Sequence, residues 1–147
     1  MNQDFLNFAV DQAMLSGKDV PVGAVVVKNN EIIAYAHNEK EEKNDSTLHA
    51  EILAIKRTSE ILGSWRLTDC EMYVTLEPCP MCAGAIIQSR ISKVYFGSYD
   101  PLYGSLGSKI DLRIIMNSNL EVYGGILQQK CDNIINSYFE GLRNVKN

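Results

Sequence analysis

The chain has 147 residues, of which 46% are hydrophobic and 22% are charged, and its formal net charge is −4. This composition predicts one globular domain spanning residues 1–147, and the negative charge excludes a broadly basic surface for nucleic acid. The sequence shows neither a run of roughly 20 apolar residues nor a basic, apolar leader, which argues against a membrane span or a secretory signal and predicts a cytoplasmic protein.

The first forty residues predict a helix followed by a β-hairpin. Apolar residues recur at helical spacing over residues 4–16, and Gly17 then breaks the pattern. Residues 22–27 and 32–37 are mostly apolar and are typical of strands. A short polar turn separates these two strands, so we expect them to pair as a hairpin.

A polar loop and a second helix are expected next. Residues 38–47 mix lysine, glutamate and other polar residues, which indicates a solvated loop. Residues 48–62 carry apolar residues at helical spacing, and either Thr47 or Ser46 suits the N-cap position. His49 then lies in the first turn, at the positive end of the helix dipole.

The middle of the chain predicts a strand, a helix and a second strand. Residues 72–76 indicate a buried strand, residues 80–88 a helix and residues 93–97 another strand. A helix that connects two strands favours a parallel pair. Ligand sites in open α/β sheets lie beyond the carboxyl ends of parallel strands, so we expect a site at residues 77–82.

The last third of the chain predicts a loop and a closing helix. Residues 99–108 include Gly104, Ser105 and Gly107, which indicates a flexible loop. Helical spacing of apolar residues predicts the final helix over residues 127–143. The alternation of strands and helices places the chain in the α/β class.

One group of residues has the spacing of a metal site. Cys79 and Cys82 would lie roughly 60° apart on one helix face, so both thiolates could reach one ion. Pro78 suits the entry to such a helix, whose positive end lowers thiol pKa values. With His49 as a third ligand, the mixture of imidazole and thiolate favours zinc. Three protein ligands leave one coordination position open, which distinguishes a catalytic zinc from a structural one.

Glu51 is predicted to be the catalytic acid and base. It follows His49 by only two residues, so the two side chains point in different directions on a helix. Two thiolates cancel the charge of a zinc ion, which then needs help in deprotonating a water. A nearby carboxylate can move that proton to a substrate ring nitrogen, a role worth roughly 100-fold to 10,000-fold in rate. The order H-x-E followed by P-C-x-x-C is the signature of zinc-dependent nucleobase deaminases.

The chain also resembles a known family over nearly its whole length. It is similar to the bacterial tRNA-specific adenosine deaminases, which belong to the zinc-dependent cytidine/deoxycytidylate deaminase superfamily. The segments that carry this resemblance occur in one order: Pro21-Val22-Gly23-Ala24, Asn38, His49-Ala50-Glu51, Thr75-Leu76-Glu77-Pro78-Cys79, Met81-Cys82-Ala83-Gly84-Ala85, Ser89-Arg90-Ile91, Phe96-Gly97, Asp100, Gly104, Gly107-Ser108, Gly125-Ile126-Leu127 and Tyr138-Phe139.

The resemblance implies a fold, a reaction and partners. The expected fold is the cytidine deaminase fold, a mixed five-stranded sheet sandwiched by helices in three α/β/α layers. The expected reaction is hydrolysis of the wobble adenosine of an arginine tRNA anticodon to inosine. The expected cofactor is one Zn²⁺ per chain, and the expected partners are the tRNA anticodon stem-loop and a second copy of the chain in a homodimer.

The resemblance also assigns roles to individual residues. It gives the ligand role to His49, Cys79 and Cys82 and the proton-shuttle role to Glu51. Three further residues are expected to bind substrate. Asn38 matches an asparagine that hydrogen-bonds the flipped nucleoside, Ala50 a backbone contact to the base, and Asp100 a contact to a neighbouring nucleotide.

The chain departs from the family pattern at two places. Ser46 and Leu48 stand where many members have proline and alanine before the ligand histidine, and this difference is expected to affect the lip of the pocket. Ser118 and Asn119 replace a histidine and an arginine before the late strand. Fewer phosphate contacts would follow, and RNA binding would be less sensitive to salt.

Several other residues invite a structural interpretation. Glu77 precedes Pro78 and is expected to hydrogen-bond backbone near the metal rather than to act in catalysis. Cys70 and Cys131 are expected to be small buried apolar residues. Tyr99 and Tyr103 have two open interpretations, namely stacking on unpaired bases or shielding of the core or dimer.

Two other functions remain open on sequence grounds. A deaminase of free guanine, cytosine or a nucleoside would share the zinc motif, and the acidic charge would suit it better than RNA. The third interpretation is a non-catalytic structural zinc module, in which Cys70 or Cys131 completes the metal shell.

Overall fold

A computed structural model gives the structure of the protein and describes residues 1–146. The elements in chain order are α1 (Gln3–Ala13), β1 (Gly23–Lys28), β2 (Glu31–His37), α2 (Lys40–Lys43), α3 (Ala50–Leu62), β3 (Cys70–Leu76), α4 (Pro80–Gln88), β4 (Lys93–Ser98), α5 (Leu112–Ile115), β5 (Glu121–Tyr123) and α6 (Gln128–Lys146). Within residues 1–146, no helix is long and apolar enough to cross a membrane.

The five strands form one mixed sheet in the order β2-β1-β3-β4-β5. The pairs β2-β1 and β1-β3 are antiparallel, whereas β3-β4 and β4-β5 are parallel. The predicted hairpin and the predicted parallel pair are therefore both confirmed. The mixed five-stranded sheet expected from the family resemblance is confirmed as well.

Helices cover both faces of this sheet and complete three layers. Alternate residues of β1 point to opposite faces, so Val26 packs with α3 and α4 while Val25 packs with α1 and α6. Both side chains are fully buried. A central strand buried on both faces reads as a continuous apolar run, which is what the sequence of β1 shows.

The hairpin turn depends on two asparagines. Asn29 and Asn30 both have positive φ angles, 51° and 60°, as a two-residue type I′ turn requires. Asparagine tolerates this left-handed conformation better than most residues. The turn sets the pairing of Lys28 with Glu31 at the end of the hairpin.

Gly23 allows helix α1 to approach the sheet closely. A Cβ atom at this position would overlap the backbone carbonyl of Ala9 and crowd the backbone of Ala13. We expect Gly23→Ala to lower the free energy of unfolding by about 1–3 kcal/mol, because backbone atoms must move to make room. Gly141→Ala is the matched control, since Gly141 lies on exposed α6 with open space around it, and it should be neutral or stabilising. Urea denaturation measures both.

Two sequence predictions about the helices before α3 were wrong. Helix α1 ends at Ala13 rather than at residue 16, because Met14 and Leu15 fit the helical spacing but remain exposed in a turn. The predicted loop 38–47 contains the short helix α2, and Asp19, a residue outside this segment, holds the first turn of that helix. The carboxylate of Asp19 accepts hydrogen bonds from the N–H of Glu41 at 3.1 and 3.2 Å.

Helix α3 begins later than predicted, and neither Thr47 nor Ser46 caps it. His49 is its N-cap residue, with extended backbone angles of φ −75° and ψ 153°. The N–H and hydroxyl of Thr47 instead donate to Asp45 in a local turn. The first helical N–H, that of Ala50, donates to the side chain of Asn38 at 2.8 Å.

Periodicity did not predict α5 or β5, because a four-residue helix and a three-residue strand are too short to show one. The segment 99–108 also differs from the predicted flexible loop. Its backbone is hydrogen-bonded to the end of β3 at several points, including the N–H of Ser105 to the carbonyl of Pro78 at 2.9 Å.

Candidate active site

The predicted site lies where two helices begin at the carboxyl end of β3. His49 is the N-cap of α3 and Cys79 is the N-cap of α4, so both face the positive ends of helix dipoles. Cys79 has extended backbone angles, and the prediction that it lies on the helix with Cys82 was wrong. Pro80, rather than Pro78, occupies the first helical position.

The side-chain atoms of the three predicted ligands are spaced as they would be around a tetrahedrally coordinated ion. His49 Nδ1 lies 3.4 Å from Cys82 Sγ and 3.6 Å from Cys79 Sγ. A zinc ion with ordinary Zn–N and Zn–S distances separates such atoms by about 3.5 Å when the angle between them is tetrahedral. Within residues 1–146, the group that could hold an ion contains these three residues, and Cys70 and Cys131 lie outside it. The donor set therefore fits a zinc site with an open fourth position.

The two thiols are electrostatically coupled. Hydrogen bonds from Cys82 and His49 lower the pKa of Cys79 to about 4. The hydrogen bond to Cys79, together with burial, raises the pKa of Cys82 well above its usual range. The protein without metal therefore holds one thiolate and one thiol at neutral pH, and a cation is needed to stabilise the second thiolate.

Metal binding to the stripped protein should release at least one proton per ion at neutral pH. Cys82 must lose its proton on binding, and His49, whose pKa is raised by its hydrogen bond to Cys79, must bind as the neutral imidazole. Zinc affinity should then fall at least about tenfold for each unit by which the pH is lowered through the neutral range. Calorimetry in buffers of different ionisation enthalpy measures the released proton. An affinity that does not change with pH would contradict this assignment of the thiol protons.

Glu51 lies beside the metal group and is almost fully buried, with 4% of its surface exposed. Burial, followed by the nearby Cys79 thiolate, raises its pKa to about 7. A carboxyl group with a pKa near neutrality can both accept and return a proton, as a general acid and base must. Its position in the first turn of α3 is fixed by the same helix start that presents His49.

A pocket of about 670 Å³ opens above this group. His49, Glu51 and Cys79 form part of its lining, and Asn38 and Lys40 contribute to it as well. The segment after β4 and one face of α6 supply much of the rest. These two elements contribute Tyr99, Asp100, Pro101, Leu102, Tyr103, Asp132, Ile135, Asn136 and Phe139.

Asn38 and Ala50, two of the expected substrate contacts, also bond to each other. The side chain of Asn38 accepts from the N–H of Ala50 and donates to the carbonyl of Val20, each at 2.8 Å. One amide hydrogen and one oxygen lone pair of Asn38 are left for a substrate. The N–H of Ala50 is already used, and Ala50 is fully buried. Their contacts with the base stay predictions.

Asp100, the third expected substrate contact, lines the pocket and closes a turn. Its side chain accepts from the N–H of Leu102 at 3.0 Å and of Tyr103 at 3.2 Å. Its own N–H donates to Glu77, which confirms that Glu77 hydrogen-bonds backbone near the ligand cysteines. Sequence reasoning missed Lys40 and Asp132 as pocket residues. Lys40 lies in a charged stretch that was interpreted as a solvated loop, and nothing near Asp132 in the chain marks it as facing this site.

The residues that depart from the family pattern lie away from the pocket lining. Ser46 is exposed, and Leu48 packs partly buried against the core between the sheet and α3 and α4. The hydroxyl of Ser118 accepts from the N–H of Leu120 before β5, and Asn119 is exposed. Leu48 is not among the residues that line the pocket, so the lining does not support the expected effect of Leu48 on the pocket lip.

Comparison with known proteins agrees with this geometry. Residues 6–143 match the family model of the MafB19-like deaminases. The "tRNA-specific adenosine deaminase" of Bacillus subtilis (strain 168) is 43% identical, and the alignment covers 99% of this chain and 94% of that protein. The chain belongs to the tRNA-specific adenosine deaminase family.

Solved structures of deaminases share the fold of this tRNA-specific adenosine deaminase family member. One, from a study of A-to-I editing by tRNA:A34 deaminases at the wobble position of transfer RNA, superposes with a TM-score of 0.82 at 37% identity. The superposition covers 90% of this chain and 99% of the solved chain. A guanine deaminase from Bacillus subtilis gives a TM-score of 0.64 at 42% identity, over 67% of this chain and 66% of that one.

Proposed function

We propose that this chain is a zinc-dependent hydrolase that converts the wobble adenosine of an arginine tRNA anticodon to inosine. The observation that carries the proposal is the near-complete match to a tRNA-specific adenosine deaminase, together with a three-ligand centre beside a buried carboxyl group. His49, Cys79 and Cys82 would hold the zinc. When bound, zinc would supply a Lewis acid that lowers the pKa of a water at its open position.

Glu51 carries the proton transfers in this proposal. Its carboxylate takes a proton from the attacking water and delivers it to N1 of the adenine ring. It then moves the remaining proton of the added oxygen to the 6-amino group, which leaves as ammonia. Water adds at C6 of the base, the C6–N bond breaks, and inosine and ammonia leave. The burial that raises the pKa of Glu51 to about 7 suits a group that must both gain and lose a proton.

The pocket lining suits a neutral base better than a phosphate. The Asp19 carboxylate already accepts from the N–H of Glu41, and that of Asp132 accepts from the hydroxyl of Ser98 at 2.6 Å. In the described part of the chain, Lys40 is the sole lysine or arginine of the lining. In this proposal Asn38 uses its remaining hydrogen-bonding capacity to hold the nucleoside, and Asp100, which lines the pocket, contacts a neighbouring nucleotide.

A free-nucleobase deaminase is the second candidate, and the similarity to a guanine deaminase supports it. That similarity covers only 67% of this chain, whereas the similarity to the tRNA-specific enzyme covers 99%. The structural zinc module has less support, since Cys70 and Cys131 both lie outside the metal group.

The expected homodimer and cytoplasmic location belong to the same proposal. A homodimer is supported by strongly exposed apolar side chains near the pocket and on α5, namely Leu102 (71%), Ile114 (80%) and Ile115 (69%). Exposed apolar side chains that are adjacent on one element, as on α5, are common at interfaces.

Isotope incorporation into a stem-loop tests the proposed reaction. An arginine anticodon stem-loop is incubated with zinc-loaded protein in water labelled with heavy oxygen, and the nucleosides are analysed by mass spectrometry. We expect inosine that carries the solvent oxygen, formed at the wobble position. A stem-loop with its adenosine moved one position along the anticodon is the control, and equal conversion of both would contradict wobble specificity.

A further inference from the structure

A buried carboxylate ties the pocket wall to the segment that carries the metal ligands. Glu77 directly follows β3, stands two residues before Cys79 and is 2% exposed. Its Oε1 accepts from the N–H of Asp100 at 3.2 Å and from the hydroxyl of Ser108. Its Oε2 accepts from the N–H of Leu106 at 3.2 Å and of Ser108 at 3.1 Å. Four donors from one loop thus converge on one side chain.

The chemistry of this contact requires a carboxylate. Each oxygen of Glu77 accepts two hydrogen bonds, and a glutamine would replace one acceptor by an NH₂ group that faces two donors. Within residues 1–146, none of the ion pairs includes Glu77, so its negative charge is balanced by N–H and O–H dipoles. Such charge-assisted hydrogen bonds are roughly twice as strong as neutral ones.

The loop that Glu77 holds, residues 99–108, forms one wall of the pocket; we call it the wall segment. Its Asp100, Leu102 and Tyr103 all line the pocket. Gly104 sits directly against Glu77, since a Cβ there would overlap the carbonyl of Asp100 and the carboxyl group of Glu77. The wall segment is therefore packed down onto the same short stretch that presents Cys79.

We propose that Glu77 is a positioning residue that fixes the wall segment relative to the metal ligands, and so sets the geometry in which the RNA substrate binds. This inference rests on the proposed function. Glu77 acts through the wall segment, and its four hydrogen bonds leave it no part in the proton transfers assigned to Glu51. The wall segment would contact the nucleotides beside the flipped adenosine, so loosening it should weaken RNA binding more than it slows chemistry.

The test is Glu77→Gln, assayed on the arginine anticodon stem-loop with zinc content measured in parallel. We expect KM to rise about tenfold, kcat to fall less than about threefold, and zinc to remain at one per chain. Glu71→Gln is the matched control, because Glu71 lies at the other end of β3 and pairs with Lys93 at 3.8 Å. An unchanged KM, a loss confined to kcat, or loss of zinc would overturn the proposal.

Ser108→Ala supplies a second variant in case Glu77→Gln does not fold. It removes the hydroxyl donor but keeps the backbone N–H, so KM should rise about threefold and Tm should fall by only a few degrees. The double variant Glu77→Gln/Ser108→Ala should behave like Glu77→Gln alone, because both changes break one network. If the rise in KM of the double variant equals the product of the rises in the two single variants, the two side chains do not share a network and this part of the proposal is contradicted.

Hydrogen exchange separates failure of this inference from failure of the proposed function. Wild-type conversion of the stem-loop reports the function by itself. The amides of Asp100, Leu106 and Ser108 report the contact, and they should exchange at least about tenfold faster in Glu77→Gln than in wild type, whether or not RNA is deaminated. Unchanged exchange at these amides would overturn the inference even in an active enzyme.

Discussion

Glu51→Gln should reduce inosine formation by about 100-fold to 10,000-fold while the protein still binds one zinc per chain. Glutamine keeps the size of the side chain but cannot take a proton from water or return one to the departing ammonia. Zinc should stay because the ligand atoms belong to His49, Cys79 and Cys82, which meet without Glu51. The measurements are single-turnover deamination of the stem-loop and zinc content by elemental analysis.

Glu60→Gln is the matched control for this variant, because Glu60 lies exposed on the same helix α3. It should retain wild-type activity. A Glu51→Gln enzyme within about tenfold of wild type would contradict the proton-shuttle role. Simultaneous loss of zinc would show instead that Glu51 helps to hold the metal.

The pH dependence of stability gives an independent check on Glu51. Burial raises its pKa from the ordinary 4.5 to about 7 in the folded protein without metal. Its contribution to the free energy of unfolding is therefore complete below about pH 4.5 and is lost as the pH rises through about 7. Glu51→Gln should remove this component from the pH dependence, as measured by denaturant titration of the stripped protein.

Cys82→Ser should abolish zinc binding, activity and the stabilisation that zinc provides. The variant loses a thiolate whose sulfur stands 3.4 Å from His49 Nδ1, and a serine hydroxyl does not replace a thiolate ligand. With zinc at about 1,000 times its Kd, the bound ion stabilises the native state by about 4 kcal/mol, equivalent to a Tm shift of roughly 10 °C. The measurement is thermal unfolding with and without a chelator.

Cys70→Ala is the control, because Cys70 is equally buried but lies outside the metal group. Its Tm should fall modestly because a buried side chain is shortened, yet a chelator should lower it further, as in wild type. The Tm of Cys82→Ser should not respond to the chelator. A chelator response retained in Cys82→Ser, or lost in Cys70→Ala, would contradict the assigned ligands.

The sequence predicted that His49, Cys79 and Cys82 would meet, because the two cysteines are close in the chain and the order H-x-E followed by P-C-x-x-C is a known signature. Cys79 and Cys82 sit at the start of one helix, and His49 begins another, so two helix starts bring the three ligands together. The hairpin was predictable for the same reason, since its turn and its apolar strands are adjacent in the chain. Burial of Cys70 and Cys131 also followed from residue type alone.

The contacts that support the site join distant parts of the chain and could not be predicted. Helix α3 is capped by Asn38, twelve residues before Ala50, rather than by a neighbour such as Thr47. Glu77 was correctly predicted to hydrogen-bond backbone near the metal, but nothing in the sequence identified its partners, which lie 23 to 31 residues further on. Sequence spacing says nothing about such pairs, because only the packing of the finished fold brings them together.

The measurement that tests the central claim most directly compares substrates with the zinc-loaded wild-type protein. The arginine anticodon stem-loop, free adenosine and free guanine are supplied at equal concentration, and inosine and xanthine are quantified. We predict conversion of the wobble adenosine in the stem-loop with no detectable turnover of free adenosine or guanine. Turnover of guanine with an unconverted stem-loop would contradict an RNA-directed adenosine deaminase and establish the free-nucleobase enzyme in its place.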